Sequence, residues 1–216
     1  MCGRFFLDIP AGDIAEHYNA PPPDIFSPRY NIAPTTPVLA RTGSELTFFR
    51  WGLIPSWAKD LTMGNRMFNA RAETVAEKPS FRQAFKRRRC LIPANGFYEW
   101  RSEKGLRQPY CCHVDHGLFS MAGIWELWQD AEGNQIQSCA IITTEASGAM
   151  LDIHTRMPVI IAVENYAQWL DCRSEQTDVA AAMITSAPSP YQYYAVSMAV
   201  NNSRHEGRDL IERIDR

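Results

Sequence analysis

After residue 46 most of the chain falls into short segments rich in β-branched and aromatic residues, each bounded by Gly, Pro, Asn or Asp. They are LTFFRWGLI (46–54), CLIPANGFYEW (90–100), QPYCCHVD (108–115), LFSMAGIWELW (118–128), IQSCAIITT (136–144), MPVIIAV (157–163) and YQYYAVSMAV (191–200). Segments of this length and composition read as strands. Stretches that suit helices are few and short: AGDIAEHYN (11–19), stopped by Pro21-Pro22-Pro23, then SFRQAFKRR (80–88), ENYAQWL (164–170) and TDVAAAMIT (177–185). Many strands with few helices confine the chain to an α+β class, with a mainly antiparallel sheet core, curled or barrel-like, and peripheral helices. No internal repeat or linker divides the sequence, so one domain over residues 1–216 is expected.

No apolar run reaches the length of a membrane span. Asp8 and Asp13 stand where a secretory signal would need apolar residues,. The six cysteines (2, 90, 111, 112, 139, 172) are not spaced as a disulfide framework, which points to a reducing, cytoplasmic setting,. The net charge of −2 is uninformative, but it is unevenly spread. Residues 1–110 carry 16 Lys and Arg against 10 Asp and Glu; residues 111–216 carry 6 against 14. Such asymmetry suits a polyanion-binding face on an otherwise acidic protein.

The chain opens MCGRFF. An initiator Met before a small residue is normally trimmed, and trimming leaves Cys2 with its α-amine and thiol on adjacent carbons. That aminothiol has ordinary pKa values of about 7.7–8.0 and about 8.5, so both groups are partly nucleophilic at neutral pH. Phe5, Phe6 and Leu7 follow, and they suit a strand tied into a core more than a frayed terminus. Three further polar residues sit in strand or turn contexts: Asn69 in RMFNARAET, Glu99 in ANGFYEW and His154 in MLDIHTRMPV. Singly, each has a bland reading as a turn amide, a solvent-facing carboxylate or a surface imidazole. Together they supply a nucleophile, an amide, a carboxylate and an imidazole. An aminothiol condenses with an aldehyde to a Schiff base, and its thiol then closes a five-membered thiazolidine. A carboxylate among apolar residues is suited to move the protons.

The stretches MCGR, RYNIAPT (29–35), WGLIPSWAKD (51–60), FNARAET (68–74), RRCLIPANGFYEW (88–100), MAGIWE (121–126), TTEAS (143–147), DIHTRMPVI (152–160) and VNNSRHEG (200–207) run in order along the chain. In them the chain resembles the SRAP family of abasic-site processing proteins. The resemblance implies a DNA-damage protein that crosslinks to abasic sites in single-stranded DNA through Cys2. It implies that Asn69 positions the amine and the sugar, that Glu99 is the acid/base, and that His154 contacts the opened sugar and aids proton transfer, including reversal. It also implies removal of Met1 by the protein itself, although a cellular aminopeptidase is an equally adequate route. The implied setting is the cytoplasm, at the nucleoid during DNA damage.

For the DNA, Arg4, Arg71 and Arg156 each stand within two residues of a candidate position and suit phosphate contacts,. Trp51, Pro55 and Trp57 in WGLIPSW resemble the family's apolar segment near the lesion, which implies stacking or wedging of bases,. The run Lys86 to Arg89 stays open between a solvated helix end and a DNA contact. No cofactor or metal is expected: in CCHVDH (111–116), strand alternation puts Cys111, His113 and Asp115 on one face, but no second ligand pair completes a site,. A monomer is expected. Two rivals remain. One is an N-terminal-nucleophile amidohydrolase resembling the class II glutamine amidotransferases, with the thiol as nucleophile and the α-amine as its base. The other is a passive lesion binder that forms no bond.

Overall fold

A computed structural model describes residues 2–43, 45–103, 105–115, 117–173, 177–185 and 191–215. Met1 and His116, both discussed above, lie outside them. The strands are β1 (Phe5–Leu7), β2 (Arg29–Ile32), β3 (Pro37–Arg41), β4 (Leu46–Trp51), β5 (Asn69–Arg71), β6 (Arg89–Ala94), β7 (Gly96–Glu103), β8 (Leu106–His113), β9 (Phe119–Gln129), β10 (Gln135–Glu145), β11 (Arg156–Pro158), β12 (Ile160–Ile161) and β13 (Gln192–Ala195). The helices are α1 (Ala11–Tyr18), α2 (Arg82–Arg87), α3 (Tyr166–Leu170) and α4 (Asp178–Thr185).

One sheet has the order β13-β8-β7-β1-β2. The other runs β11-β10-β4-β3-β6-β9-β12, and an added β9–β10 pairing closes β10, β4, β3, β6 and β9 into a five-stranded barrel. Pairing is mainly antiparallel; β4 and β5 run parallel to β10. The α+β class with a barrel-like sheet is therefore what the chain adopts.

The two sheets share a covalent seam. The segment expected as one strand over 90–100 is two, β6 in the barrel and β7 in the other sheet, parted at Asn95. Asn95 Oδ1 accepts from the Asp8 N–H at 3.1 Å, and the Asn95 N–H donates to the Phe6 carbonyl at 3.0 Å, so the break is pinned to the end of β1. Gly96 opens β7 because a Cβ there would lie 2.4 Å from the Phe6 ring. That contact is too close for any other residue.

Both faces of β7 and β8 are buried, against different cores. Phe97 and Cys112 join the large core filling the barrel and the space between sheets, whereas Tyr98 and Cys111 join a smaller one with Phe6, Val196, Val200 and Leu210. The helices cover the rest. In α1, Ile14 and Tyr18 are buried one turn apart on a single face,. The helix ends at Asn19 in the left-handed region (φ 46°), where Asn is tolerated as a cap, directly before the proline run,.

Other expectations shift at their ends. Strand β13 stops at Ala195, and Met198–Asn201 is a 3-10 turn capped by Ser197, whose Oγ accepts from the Ala199 N–H at 3.2 Å. Residues 157–163 divide into β11 and β12 around Val159, whose N–H donates to the Ile142 carbonyl at 3.0 Å and whose carbonyl accepts from the Ala122 N–H at 2.8 Å. Strand β4 ends at Gly52, whose φ of +136° other residues avoid,. The sequence pattern misses β2 and β3, because Pro34 and Pro37 interrupt the alternation; Pro37 is tolerated as the first residue of its strand,.

Candidate functional site

Strand β1 is an interior strand of its sheet, between β2 and β7. Phe5 faces Phe97, Phe6 faces Gly96, and the Tyr98 N–H donates to the Arg4 carbonyl at 2.8 Å. Continuing that register sets the residues just before β1 alongside Glu99. Cys2 is thus held in the interior, with no exposed surface. Glu99 points to the same face as Phe97, toward the large core, and is 3% exposed. The solvent-facing alternative for this carboxylate fails because both faces of β7 are covered.

Burial pushes the Cys2 thiol well above its ordinary pKa, and the Glu99 charge pushes it further; the Arg4 backbone N–H opposes this weakly. The thiol therefore rests protonated. Two groups missed in the sequence share the surroundings. Burial raises the Cys112 thiol, with the Glu99 charge adding to the shift, and burial likewise raises the hydroxyl of Tyr191, which is wedged between the rings of Phe97 and Phe119. The Tyr191 hydroxyl donates to the Pro158 carbonyl at 3.0 Å.

Asn69 opens β5, where it pairs with Ile141 of β10. Its Nδ2 donates to the Cys2 carbonyl at 2.7 Å. Its Oδ1 is buried with no hydrogen-bond partner among the described residues. A buried amide oxygen without a donor costs about 1–3 kcal/mol, so it marks a place made for a group that arrives later. The structure thus brings Cys2, Asn69 and Glu99 together.

His154 reaches the same end of β10 from the other flank. Strand β10 pairs at Thr143 with Arg71 of β5 on one side and Pro158 of β11 on the other. His154 precedes β11, and its Nδ1 accepts from the Arg156 N–H at 2.9 Å. That bond needs the Nδ1 lone pair, so the proton of the neutral ring lies on Nε2.

The three arginines differ. Arg71 is exposed, and its side chain makes no hydrogen bond or ion pair among the described residues. Arg4 is half-buried and gives its Nη1 to Asn31 and Val200. Arg156 is spent internally. Its Nη1 and Nη2 donate to the two Glu73 oxygens at 2.7 and 2.9 Å, and Nη2 also donates to the Thr143 carbonyl at 2.6 Å. This pair holds the Glu73 carboxyl below its ordinary pKa. A phosphate at Arg156 has to compete with Glu73, a residue the sequence reading passed over although it lies within FNARAET.

The aromatic candidates also separate. Trp51 has no exposed surface, so it offers no ring face to a base. It faces inward from β4, packs edge-on against Phe5, and donates from Nε1 to the Phe68 carbonyl at 2.8 Å, supporting the residue beside Asn69. Pro55 is buried as well. Trp57 is 56% exposed beside a cleft of about 390 Å³ formed with Lys59, Asp60, Thr62 and Met63.

The basic run is largely structural. Arg89 is buried, and its guanidinium donates to the carbonyls of Trp169, Phe85 and Asp171 at 2.6 to 2.8 Å. Arg88 pairs with Glu126 at 2.7 Å. Cys111 lies in the smaller core, where it and His113 both meet Tyr194 from the same face of β8, and the described residues contain no cluster of three His, Cys, Asp or Glu fit for a metal.

The model of the SOS response associated peptidase (SRAP) family matches residues 1–203. The chain is 40% identical to the abasic site processing protein YoqW of Bacillus subtilis, over 98% of this chain and 99% of that one. It is 32% identical to the abasic site processing protein HMCES of Rattus norvegicus, over 89% of this chain and 67% of that protein. A crystal structure of a protein from Bacteroides thetaiotaomicron superposes with a TM-score of 0.90 at 28% identity, covering 99% of this chain and all of that one.

Proposed function

Because the chain belongs to the SRAP family, we propose that it processes abasic sites in DNA, bonding to the lesion in a single strand through Cys2 once Met1 is removed. The observation that carries this reading is the buried Asn69 amide, which grips the Cys2 carbonyl with Nδ2 and keeps Oδ1 without a partner among the described residues, while the Glu99 charge acts on the same Cys2.

An abasic site in its ring-opened form presents an aldehyde at C1′. The freed α-amine of Cys2 attacks that carbon, water leaves, and a C=N bond forms. Asn69 Oδ1 is suited to accept an N–H of the amine and aim it at the aldehyde. The thiol, protonated at rest, then adds to the same carbon. Its proton passes by way of Glu99 to the imine nitrogen, closing the thiazolidine with net loss of one water. The Nε2–H of His154 is suited to donate to a sugar oxygen as the ring opens. Arg71 and Arg4 suit the flanking phosphates, and Trp57 suits a base.

Intact mass before and after incubation with a single-stranded oligonucleotide carrying one abasic site tests the proposal. The expected result is a Met1-free protein that gains the oligonucleotide less one water in a bond surviving denaturation. Cys2→Ala should form no such adduct, and Cys2→Ser at most a labile imine. A Met1-free protein that binds the oligonucleotide but releases all of it on denaturation would make it a passive binder. Glutamine hydrolysis that disappears in Cys2→Ala would restore the amidohydrolase.

A further inference from the structure

We infer that Asn31 is the positioning residue that sets Arg4 to grip a DNA phosphate beside Cys2; this rests on the function proposed above. Asn31 lies on β2 with no exposed surface, and its side chain is saturated. Oδ1 accepts from Arg4 Nη1 at 2.7 Å. Nδ2 donates to the carbonyls of His205 at 2.9 Å and Asn202 at 3.0 Å, with a longer contact of 3.4 Å to Val200. The amide has one workable orientation. Turned over, it would set its NH2 against a guanidinium and its oxygen against the carbonyls.

The Val200 carbonyl takes a second bond from Arg4 Nη1, at 2.9 Å. Both hydrogens of Nη1 are thereby committed. Nη2 makes no hydrogen bond among the described residues, and Nε is shielded from water without an acceptor. Nη2 is therefore the nitrogen left to donate to a phosphate oxygen. Burial lowers the Arg4 pKa, but a guanidinium is not deprotonated in proteins, so the grip is cationic throughout the physiological range.

The arrangement carries information between distant segments. The carbonyls that Asn31 reads belong to VNNSRHEG. That segment is fixed on β2 and β7 by two further bonds: the Tyr30 N–H donates to Glu206 at 2.7 Å, and Trp100 Nε1 donates to Asn201 Oδ1 at 2.7 Å. Arg4 in turn presents its backbone N–H to the Cys2 thiol. A shift of residues 200–206 therefore moves the phosphate-gripping Nη2 relative to the nucleophile.

The test is the salt dependence of binding to a single-stranded oligonucleotide carrying a tetrahydrofuran abasic analogue, which has no aldehyde and cannot bond. Arg4→Met should lower the log–log slope by about 0.7, the value of one single-strand phosphate contact. Asn31→Ala should lower it by the same amount and weaken binding about tenfold, and the double variant should lose no more. A purely structural role would reduce the folded fraction without changing the slope. The wild-type slope retained in Asn31→Ala, or two full decrements in the double variant, overturns the inference. Should Asn31→Ala fail to fold, the Arg4 Nε–H resonance of the wild-type protein decides. It should move on adding the oligonucleotide while the Asn31 amide resonances stay put; a stationary Arg4 signal refutes the assignment. Failure of the wild-type protein to bind the oligonucleotide at all would sink the functional reading itself. Normal binding with Asn31 silent sinks this inference alone.

Discussion

Asn69→Leu separates the two halves of the Asn69 amide, because the replacement keeps the volume and removes both polar atoms. Losing Nδ2 takes the 2.7 Å donor from the Cys2 carbonyl and leaves that carbonyl short of a partner, a cost of about 1–3 kcal/mol,. Losing Oδ1 removes a buried oxygen that has no partner to begin with, a gain of about the same size,. The two nearly offset, so the folding free energy should change by no more than about 1 kcal/mol. The chemistry has no such compensation. Without Oδ1 the amine is no longer aimed, and a misplacement of about 1 Å costs on the order of a hundredfold in rate. Urea unfolding monitored by tryptophan fluorescence gives the first quantity. Denaturing gel analysis of adduct formation against time, on abasic single-stranded DNA, gives the second. A loss of 3 kcal/mol or more would mean that Asn69 is a structural pin whose oxygen is satisfied in solution. An unchanged rate would mean that the amide does not orient the amine.

Trp51→Ala should cost about 3–5 kcal/mol in unfolding free energy, because a fully buried indole and its bond to Phe68 are both lost,. Trp57→Ala should change stability by less than about 1 kcal/mol yet weaken single-strand binding by about 1–3 kcal/mol; equal effects of the two changes on binding would contradict the assignment,. Burial raises the thiols of Cys2, Cys90, Cys111, Cys112 and Cys139 above their ordinary pKa. The folded chain thus keeps protons that the unfolded chain releases above about pH 8.5. Stability should be fully present below that pH and fall as it rises, by up to about 1.4 kcal/mol per pH unit per thiol, and unfolding midpoints measured from pH 7 to 10 would expose a flat profile as contrary. Glu99→Gln should slow adduct formation by about a hundredfold or more with binding of the tetrahydrofuran analogue unchanged, whereas matched losses in both would reassign Glu99 to binding.

The sheet-rich class was legible because β-branched and aromatic runs between turn residues survive as strands: β8, β9 and β10 lie where the pattern puts them, within about two residues. What the pattern hides is which sheet a strand joins. CLIPANGFYEW reads as one run, yet Asn95 divides it, because the information lies in Phe6 and Asp8 from the other end of the chain. The site residues were legible for a similar local reason: a polar side chain stands out among apolar neighbours at Asn69, Glu99 and His154. Glu73 and Asn31 were not, since each looks like ordinary surface polarity until the fold hands it an arginine from 83 or 27 residues away. Trp51 and Pro55 show the converse, with aromatic and imino residues that suit stacking drawn inside by the alternation of β4 and the turn after it.

The interior place of β1 in its sheet has a consequence for how the protein comes into being. A ribosome releases Cys2 among the first residues, but Asn69, Glu99 and the His154 turn follow only as synthesis proceeds, at about 5–20 residues per second. For roughly eight to thirty seconds the nascent chain carries its thiol without the complete set of groups around it. Strand β1 can meet β2 early, but its other neighbour is present only once β7 has emerged. A chain cut short before residue 154 therefore leaves Cys2 without the full set of groups that the folded protein gathers around it.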